Sequence, residues 1–158
     1  MKTKLFFITL LLFFVLNGCD KNNGTTATSD VAEISHVTQS ECKDRDEGTK
    51  LRTMETVREM LLLKATDQTH LQVVHQNVIF NCCPGTLSAV CQVQGAMISV
   101  VEQESEQGCK CLCPYDLGYT ISPLKFGKYT MNIKGYKPVY FTFSEDLDIS
   151  VELVKIDE

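Results

Sequence analysis

The chain has no tryptophan, only three histidines among its 158 residues, and no excess of basic side chains: fifteen lysines and arginines face twenty acids, a formal charge of −5. Each scarcity excludes something. Without tryptophan, a stacking platform for sugars would have to be built from the five tyrosines, of which Tyr115, Tyr119, Tyr136 and Tyr140 are the candidates, although sheet packing accounts for most of them. The acidic balance excludes nucleic acid as a partner, because phosphate backbones demand a basic surface. No apolar run is long enough to cross a bilayer as a helix; the longest, Leu5–Leu16, has twelve residues with only Thr9 interrupting it. No Cys-x-x-Cys occurs, which removes the usual redox-enzyme signature.

The catalytic signatures are as thin. Ser40 and Lys43 have the Ser-x-x-Lys spacing of penicillin-recognising enzymes, but the partner motifs are missing and the chain is small, so the match is chance. The acidic stretches Asp44–Gly48 and Glu145–Asp148 lack the ligand spacing of an EF-hand and read as solvated turns.

What the sequence does contain begins at its start. Lys2 and Lys4 precede the apolar run, the arrangement of a secretory signal. Leu16-Asn17-Gly18-Cys19 resembles the lipobox of bacterial lipoproteins, which implies cleavage after Gly18, acylation of Cys19 and attachment to a lipid bilayer. Losing residues 1–18 removes two lysines and no acid, so the mature charge becomes −7. Residues 19–30 carry no apolar side chain larger than alanine beyond Cys19 and read as a flexible tether. The remaining residues, 31–158, suffice for one domain with a modest core.

Residues 31–56 carry little pattern, apart from Leu51, Met54, Val57 and Met60 at intervals of three, which predict a short helix. "MLLLKA" and "LQVVHQNVIF" read as strands around the turn "TDQT". From Leu71 onward the chain reads as seven or eight short strands separated by Gly, Pro and Asp turns. The expected fold is all-β, an antiparallel two-sheet sandwich. Leu124, Gly127 and Tyr129 have a spacing that resembles the tyrosine corner of Greek-key sandwiches, and "LKFGKYTMNIKGYKP" resembles the closing strands of immunoglobulin-like and transthyretin-like modules. That resemblance implies a fold and no function.

Eight cysteines are the strongest chemical signal. With Cys19 assigned to lipid, Cys42, Cys82, Cys83, Cys91, Cys109, Cys111 and Cys113 remain, an odd number that leaves at least one unpaired. In an exported chain the density reads as a disulfide framework. Alternation on a strand would put Cys109, Cys111 and Cys113 on one face, about 6.5 Å apart, near the upper limit for bridging one another. The expected pairing is one or two bridges between the clusters and one from Cys42 to the sheet. The same thiols suit a soft-metal site: Cys109, Cys111 and Cys113 with Cys82 or Cys83 would hold zinc or copper(I) if reduced. A third reading pairs a free cysteine with His75 as a nucleophile and base.

Together, the lipobox, the tether and the "NCC" and "CxCxCPYD" clusters resemble small uncharacterised cysteine-rich lipoproteins of Bacteroidetes-type bacteria. The resemblance implies a lipid-anchored protein of the cell envelope, at the outer membrane, without choosing its face. The leading expectation is a non-enzymatic role with a protein or glycan partner and no cofactor; thiolate metal binding and cysteine catalysis are the alternatives.

Overall fold

The structure is a computed structural model that describes residues 31–43 and 58–156. The lipobox, the tether and the helix predicted from Leu51 to Val57 lie outside the described residues. Met60, the last residue of that periodic series, opens a strand instead.

Nine strands follow in order: β1 (Glu33–Gln39), β2 (Met60–Ala65), β3 (Leu71–Asn81), β4 (Leu87–Gln94), β5 (Met97–Glu104), β6 (Leu112–Ser122), β7 (Gly127–Ile133), β8 (Val139–Phe143) and β9 (Asp148–Glu152). They form a five-stranded sheet in the order β1-β6-β3-β2-β9 and a four-stranded sheet in the order β4-β5-β7-β8. The two sheets pack as an all-β sandwich, and among the described residues there is no helix. One pairing departs from the antiparallel expectation: β5 and β7 run parallel. The chain leaves β5 for the other sheet, forms β6 there and returns as β7, so β7 arrives beside β5 pointing the same way.

Period-two alternation decides which side chains form the core. Leu71, Val73 and His75 of β3, Ile98 and Val100 of β5, and Leu117, Tyr119 and Ile121 of β6 all point between the sheets and are essentially sealed from solvent. At roughly 25 cal/mol per Å² of apolar surface removed from water, these inward rows supply the main force holding the sheets together. β1 escapes a reading by alternation because a bulge between Ser35 and Thr38 breaks its register, with His36 in the left-handed region at φ 52°. Where β1 passes β6 the chains come close: a Cβ on Gly118 would stand 2.6 Å from Thr38 Oγ1, so a larger residue there would force the Thr38 side chain to move.

Between β6 and β7 the chain turns a corner at residues 123–126. Leu124 is buried and its N–H donates to the Thr69 carbonyl oxygen at 2.8 Å. The Tyr129 hydroxyl donates to the Lys125 carbonyl oxygen at 2.8 Å, while its half-buried ring stacks on Phe141 with centroids 5.9 Å apart.

Candidate functional site

Two polar centres are built between β3 and β5, and they contain nearly all the chemistry of the described residues. The first starts from His75, which occupies an inward position of β3 and is 0% exposed. Glu102 occupies the inward position of β5 that follows Ile98 and Val100, so alternation aims it at the opposite sheet. The two meet across the sandwich: His75 Nδ1 stands 2.7 Å from Glu102 Oε2. Tyr119, inward on β6, donates its hydroxyl to Glu102 Oε1 at 3.0 Å.

Glu59, one residue before β2, approaches from the other side. Its Oε2 lies 3.5 Å from His75 Nε2 and accepts the Tyr136 hydroxyl, and its Oε1 accepts from Lys155 Nζ at 2.8 Å. Tyr136 also packs edge-on against the imidazole at 5.3 Å. His75 Nε2 makes no hydrogen bond, because the approach to Glu59 is long, so that nitrogen is held by charge attraction alone.

Burial drives the His75 pKa down, but the hydrogen bond to Glu102 and the charge of both carboxylates outweigh it, and the imidazole is raised from 6.5 to about 8. Burial likewise pushes Glu59 up, and is outweighed by the attraction of His75 and the bonds from Lys155 and Tyr136, which bring its carboxyl from 4.5 to about 2. Tyr136 is driven upward by burial and by the Glu59 carboxylate, and Tyr119 by burial and Glu102. The centre sets His75 and Lys155 against the carboxylates of Glu59 and Glu102, so that each buried ionisable group has a partner of opposite sign.

A bulge frames this centre. The β3–β6 register slips between His75 and Val78, with Asn77 in the left-handed region at φ 61°, a conformation asparagine tolerates better than most residues. The Asn77 side chain donates to the Arg58 carbonyl oxygen at 2.9 Å and accepts from Lys43 Nζ at 2.8 Å, and Lys43 also pairs with Asp116. Backbone bonds from Ser40 N to Asp116 O and from Lys43 N to Pro114 O align the segment between them along β6. That alignment delivers Cys42 to Cys113.

The second centre lies at the C-terminal end of β3. Past the register pair Asn81–Leu112 the ladder continues with Cys82 N–H donating to Cys111 O at 3.0 Å. Three disulfides form: Cys42–Cys113, Cys82–Cys111 and Cys83–Cys109, with Cα atoms 5.8, 5.5 and 5.5 Å apart. Asn81 ties the loops together. Its Oδ1 accepts from Cys83 N and Cys109 N, its Nδ2 donates to Cys109 O, and its backbone N–H donates to Glu104 Oε2 at 2.7 Å. Its carbonyl oxygen accepts from the Tyr115 hydroxyl at 3.2 Å.

The cysteine triplet does not lie along one strand face as alternation suggested. Only Cys113 belongs to β6, inward and fully buried, whereas Cys109 and Cys111 sit in the bent segment before it. That bend frees the two outer cysteines to meet Cys82 and Cys83. With six sulfurs in disulfides, Cys82, Cys83, Cys109, Cys111 and Cys113 present no thiolate in this state, and among the described residues no group of three or more potential ligands has metal-binding geometry.

The nucleophile readings fare differently from one another. His75 and Cys82 are not brought together: Cys82 is oxidised and His75 is committed to Glu102. The free thiol among the described residues is Cys91, on an inward position of β4, with its sulfur 3.8 Å from the Ala32 carbonyl oxygen. Burial and the nearby Glu33 charge push its pKa up, so it stays a thiol, the opposite of an activated nucleophile. Of the tyrosines, Tyr115 and Tyr119 are buried and Tyr136 is half-buried; Tyr140 alone among these four stands out, at 75% exposed.

A shallow cleft of about 150 Å³ opens beside the disulfides, between residues 39–42, Cys82, Pro84 and Tyr115. Its volume falls below the range of roughly 300 to 1,000 Å³ usual for small-molecule sites. The broader outward feature is the solvent face of the four-stranded sheet. Val90, Gln92 and Gln94 of β4, Met97, Ser99 and Val101 of β5, Thr130 and Asn132 of β7, and Tyr140 and Thr142 of β8 make it almost free of charge, with Lys128 the exception within the strands.

Glu102, Glu59 and Asn81 are the site residues that cysteine counting passed over. The signal for Glu102 and Glu104 was present: in "MISVVEQE" they continue the inward alternation of Ile98 and Val100, where a charge demands a partner. No family model, curated protein or solved structure significantly matches the chain.

Proposed function

We propose that this protein is a lipid-anchored, non-enzymatic domain of the bacterial cell envelope whose exposed surface engages a macromolecular partner. The observation that carries the reading is where the chemistry points. His75 is sealed in the core, Cys91 is held as a thiol, and the other described cysteines are spent on disulfides. A general base must reach its substrate within hydrogen-bonding distance, and a buried imidazole bonded to Glu102 does not. The disulfides suit an oxidising, extracytoplasmic setting, and the lipobox resemblance at Leu16–Cys19 supplies the anchor.

Cell fractionation of wild type and Cys19→Ser tests the anchor: wild type is expected with membranes and the variant in the soluble fraction. A variant that still partitions with lipid refutes anchoring through Cys19. Intact mass of the native protein after denaturing alkylation tests the rest, with one alkylated thiol, Cys91, expected. Several free thiols with retained zinc or copper would move the assignment to metal handling through Cys82, Cys83, Cys109, Cys111 and Cys113.

A further inference from the structure

Two of the three disulfides lie side by side and differ from the third in their surroundings. Cys82 and Cys83 are neighbours in the chain, and each meets a cysteine of the segment before β6: Cys82 joins Cys111, and Cys83 joins Cys109. Cys111 is exposed, and Cys82, Cys83 and Cys109 are half-buried. Lys110, between Cys109 and Cys111 in the chain, is exposed as well. The Cys42–Cys113 bridge ends instead on a sulfur sealed in the core, since Cys113 is 0% exposed.

Stability alone gives little reason for the adjacent pair. Once Cys82–Cys111 is closed, Cys83–Cys109 closes only the short ring between the two bridges, and the entropy removed from the unfolded chain grows with the length of loop closed. The two loops are also stitched without sulfur. Cys82 N–H donates to Cys111 O at 3.0 Å, Ser105 N–H to Thr86 O at 3.0 Å and Glu106 N–H to Pro84 O at 3.1 Å. Buried Asn81 accepts from the N–H groups of Cys83 and Cys109 at 2.9 and 3.1 Å, and donates back to Cys109 O. None of these bonds passes through an S–S link, so with both bridges open they keep the four thiols facing one another in the same pairs.

We infer that Cys82–Cys111 and Cys83–Cys109 form a thiol–disulfide exchange site that takes electrons from a dithiol, while Cys42–Cys113 stays closed as the structural staple. The thiolate of the dithiol attacks the exposed Cys111 sulfur, the bond to Cys82 breaks, and Cys82 leaves as a thiolate that takes up a proton. The second thiol of the reductant then displaces Cys111 from the mixed disulfide. Two electrons and two protons pass to the protein, and the dithiol becomes a disulfide. Cys83–Cys109 opens by the same steps. The Lys110 ammonium favours the thiolates that form beside it. Attack on Cys42 is opposed, because it would expel the Cys113 thiolate into the core, where an unpaired charge is costly. No Cys-x-x-Cys is required, because the partners of each bridge come from different loops. Uptake is stoichiometric, so the site is compatible with a non-enzymatic domain and rests neither on that reading nor on the lipid anchor.

The test is a titration of the full-length protein in detergent with dithiothreitol at graded ratios of reduced to oxidised form, followed by acid quenching, alkylation and peptide mass. Cys82, Cys83, Cys109 and Cys111 are expected to open at a ratio at least about tenfold below the one that opens Cys42–Cys113, with near-ultraviolet circular dichroism unchanged. Re-oxidation of that four-thiol form should return the same two bridges, whereas re-oxidation in denaturant should scramble them. Opening of all three bridges together, two bridges that outlast Cys42–Cys113, loss of the near-ultraviolet signal as they open, or scrambled pairing after native re-oxidation would each overturn the proposal.

Discussion

β5 sends two carboxylates toward β3, two residues apart, and they meet different solutions to one problem. Glu102 meets a charge: His75, with Glu59, Lys155 and two tyrosines completing a buried ionic cluster. Glu104 meets the backbone N–H of Asn81, at the point where disulfides take over the holding of the loops. Both centres fasten irregular chain to a regular sheet. The ionic one depends on proton activity and every member depends on the others, whereas the covalent one is indifferent to pH and depends on redox state.

The largest effect should come from breaking the covalent centre. Cys42–Cys113 closes a loop with a sequence separation of 71, the longest of the three. The chain-entropy relation gives about 4 kcal/mol for such a closure, so C42A/C113A should lose about that much in denaturant unfolding. Full reduction opens the two shorter closures as well and should unfold the domain at ordinary temperature, given that native stabilities are roughly 5 to 15 kcal/mol. A reduced protein that keeps its melting temperature would show that the apolar core suffices alone.

Next in size is the ionic centre. His75→Ala leaves Glu59 and Glu102 facing each other without the cation between them, and loss of one partner from a buried pair costs about 3 to 5 kcal/mol. Chemical denaturation at neutral pH measures it. A loss under 1 kcal/mol would mean that water or Lys155 takes over the role of the imidazole. The two centres share β3 and β5 but no side chain, so the losses in C42A/C113A and His75→Ala should add approximately.

The comparison sharpens with pH. The His75 pKa is raised from 6.5 to about 8 in the folded chain, so its contribution is complete below about pH 6.5 and is lost as pH rises through about 8. The magnitude is about 2 kcal/mol at 1.36 kcal/mol per pH unit. Glu59 runs the other way: with its pKa lowered from 4.5 to about 2, its contribution is complete above pH 4.5 and is lost toward pH 2. Melting temperature should therefore be highest between about pH 4.5 and 6.5 and fall on both sides. In His75→Ala the alkaline fall should disappear, while C42A/C113A should keep it. Parallel alkaline slopes in wild type and His75→Ala would assign the fall to other groups.

Much of the fold is visible in the sequence where burial is one-sided. In β3, β4, β5, β7 and β8 a period of two sorts core from solvent over most of the strand, and Gly95, at φ 59°, marks the β4–β5 turn. β1 is not visible, because its bulge and mostly exposed side chains erase the period. The parallel β5–β7 pair is not visible either, because period two carries no strand direction. Among site residues the cysteines announce themselves by type. The His75 cluster does not, since its members come from β3, β5, β6, the entry to β2, the β7–β8 turn and the segment after β9. Only closure of the sandwich brings those together, and alternation hints at three of them, His75, Glu102 and Tyr119.

The smallest expected effect tests the β6–β7 corner, which uses neither a buried charge nor a disulfide. Tyr129 donates to the Lys125 carbonyl oxygen at a solvent-exposed bend, so water can replace part of that bond when the hydroxyl is removed. Tyr129→Phe keeps the ring stacked on Phe141 and should cost about 1 kcal/mol, the net value of an ordinary hydrogen bond. Thermal unfolding resolves a change of that size. No loss would mean that ring packing alone holds the corner. A loss as large as that of His75→Ala would mean that the corner, rather than either polar centre, governs how β7 and β8 are set against the core.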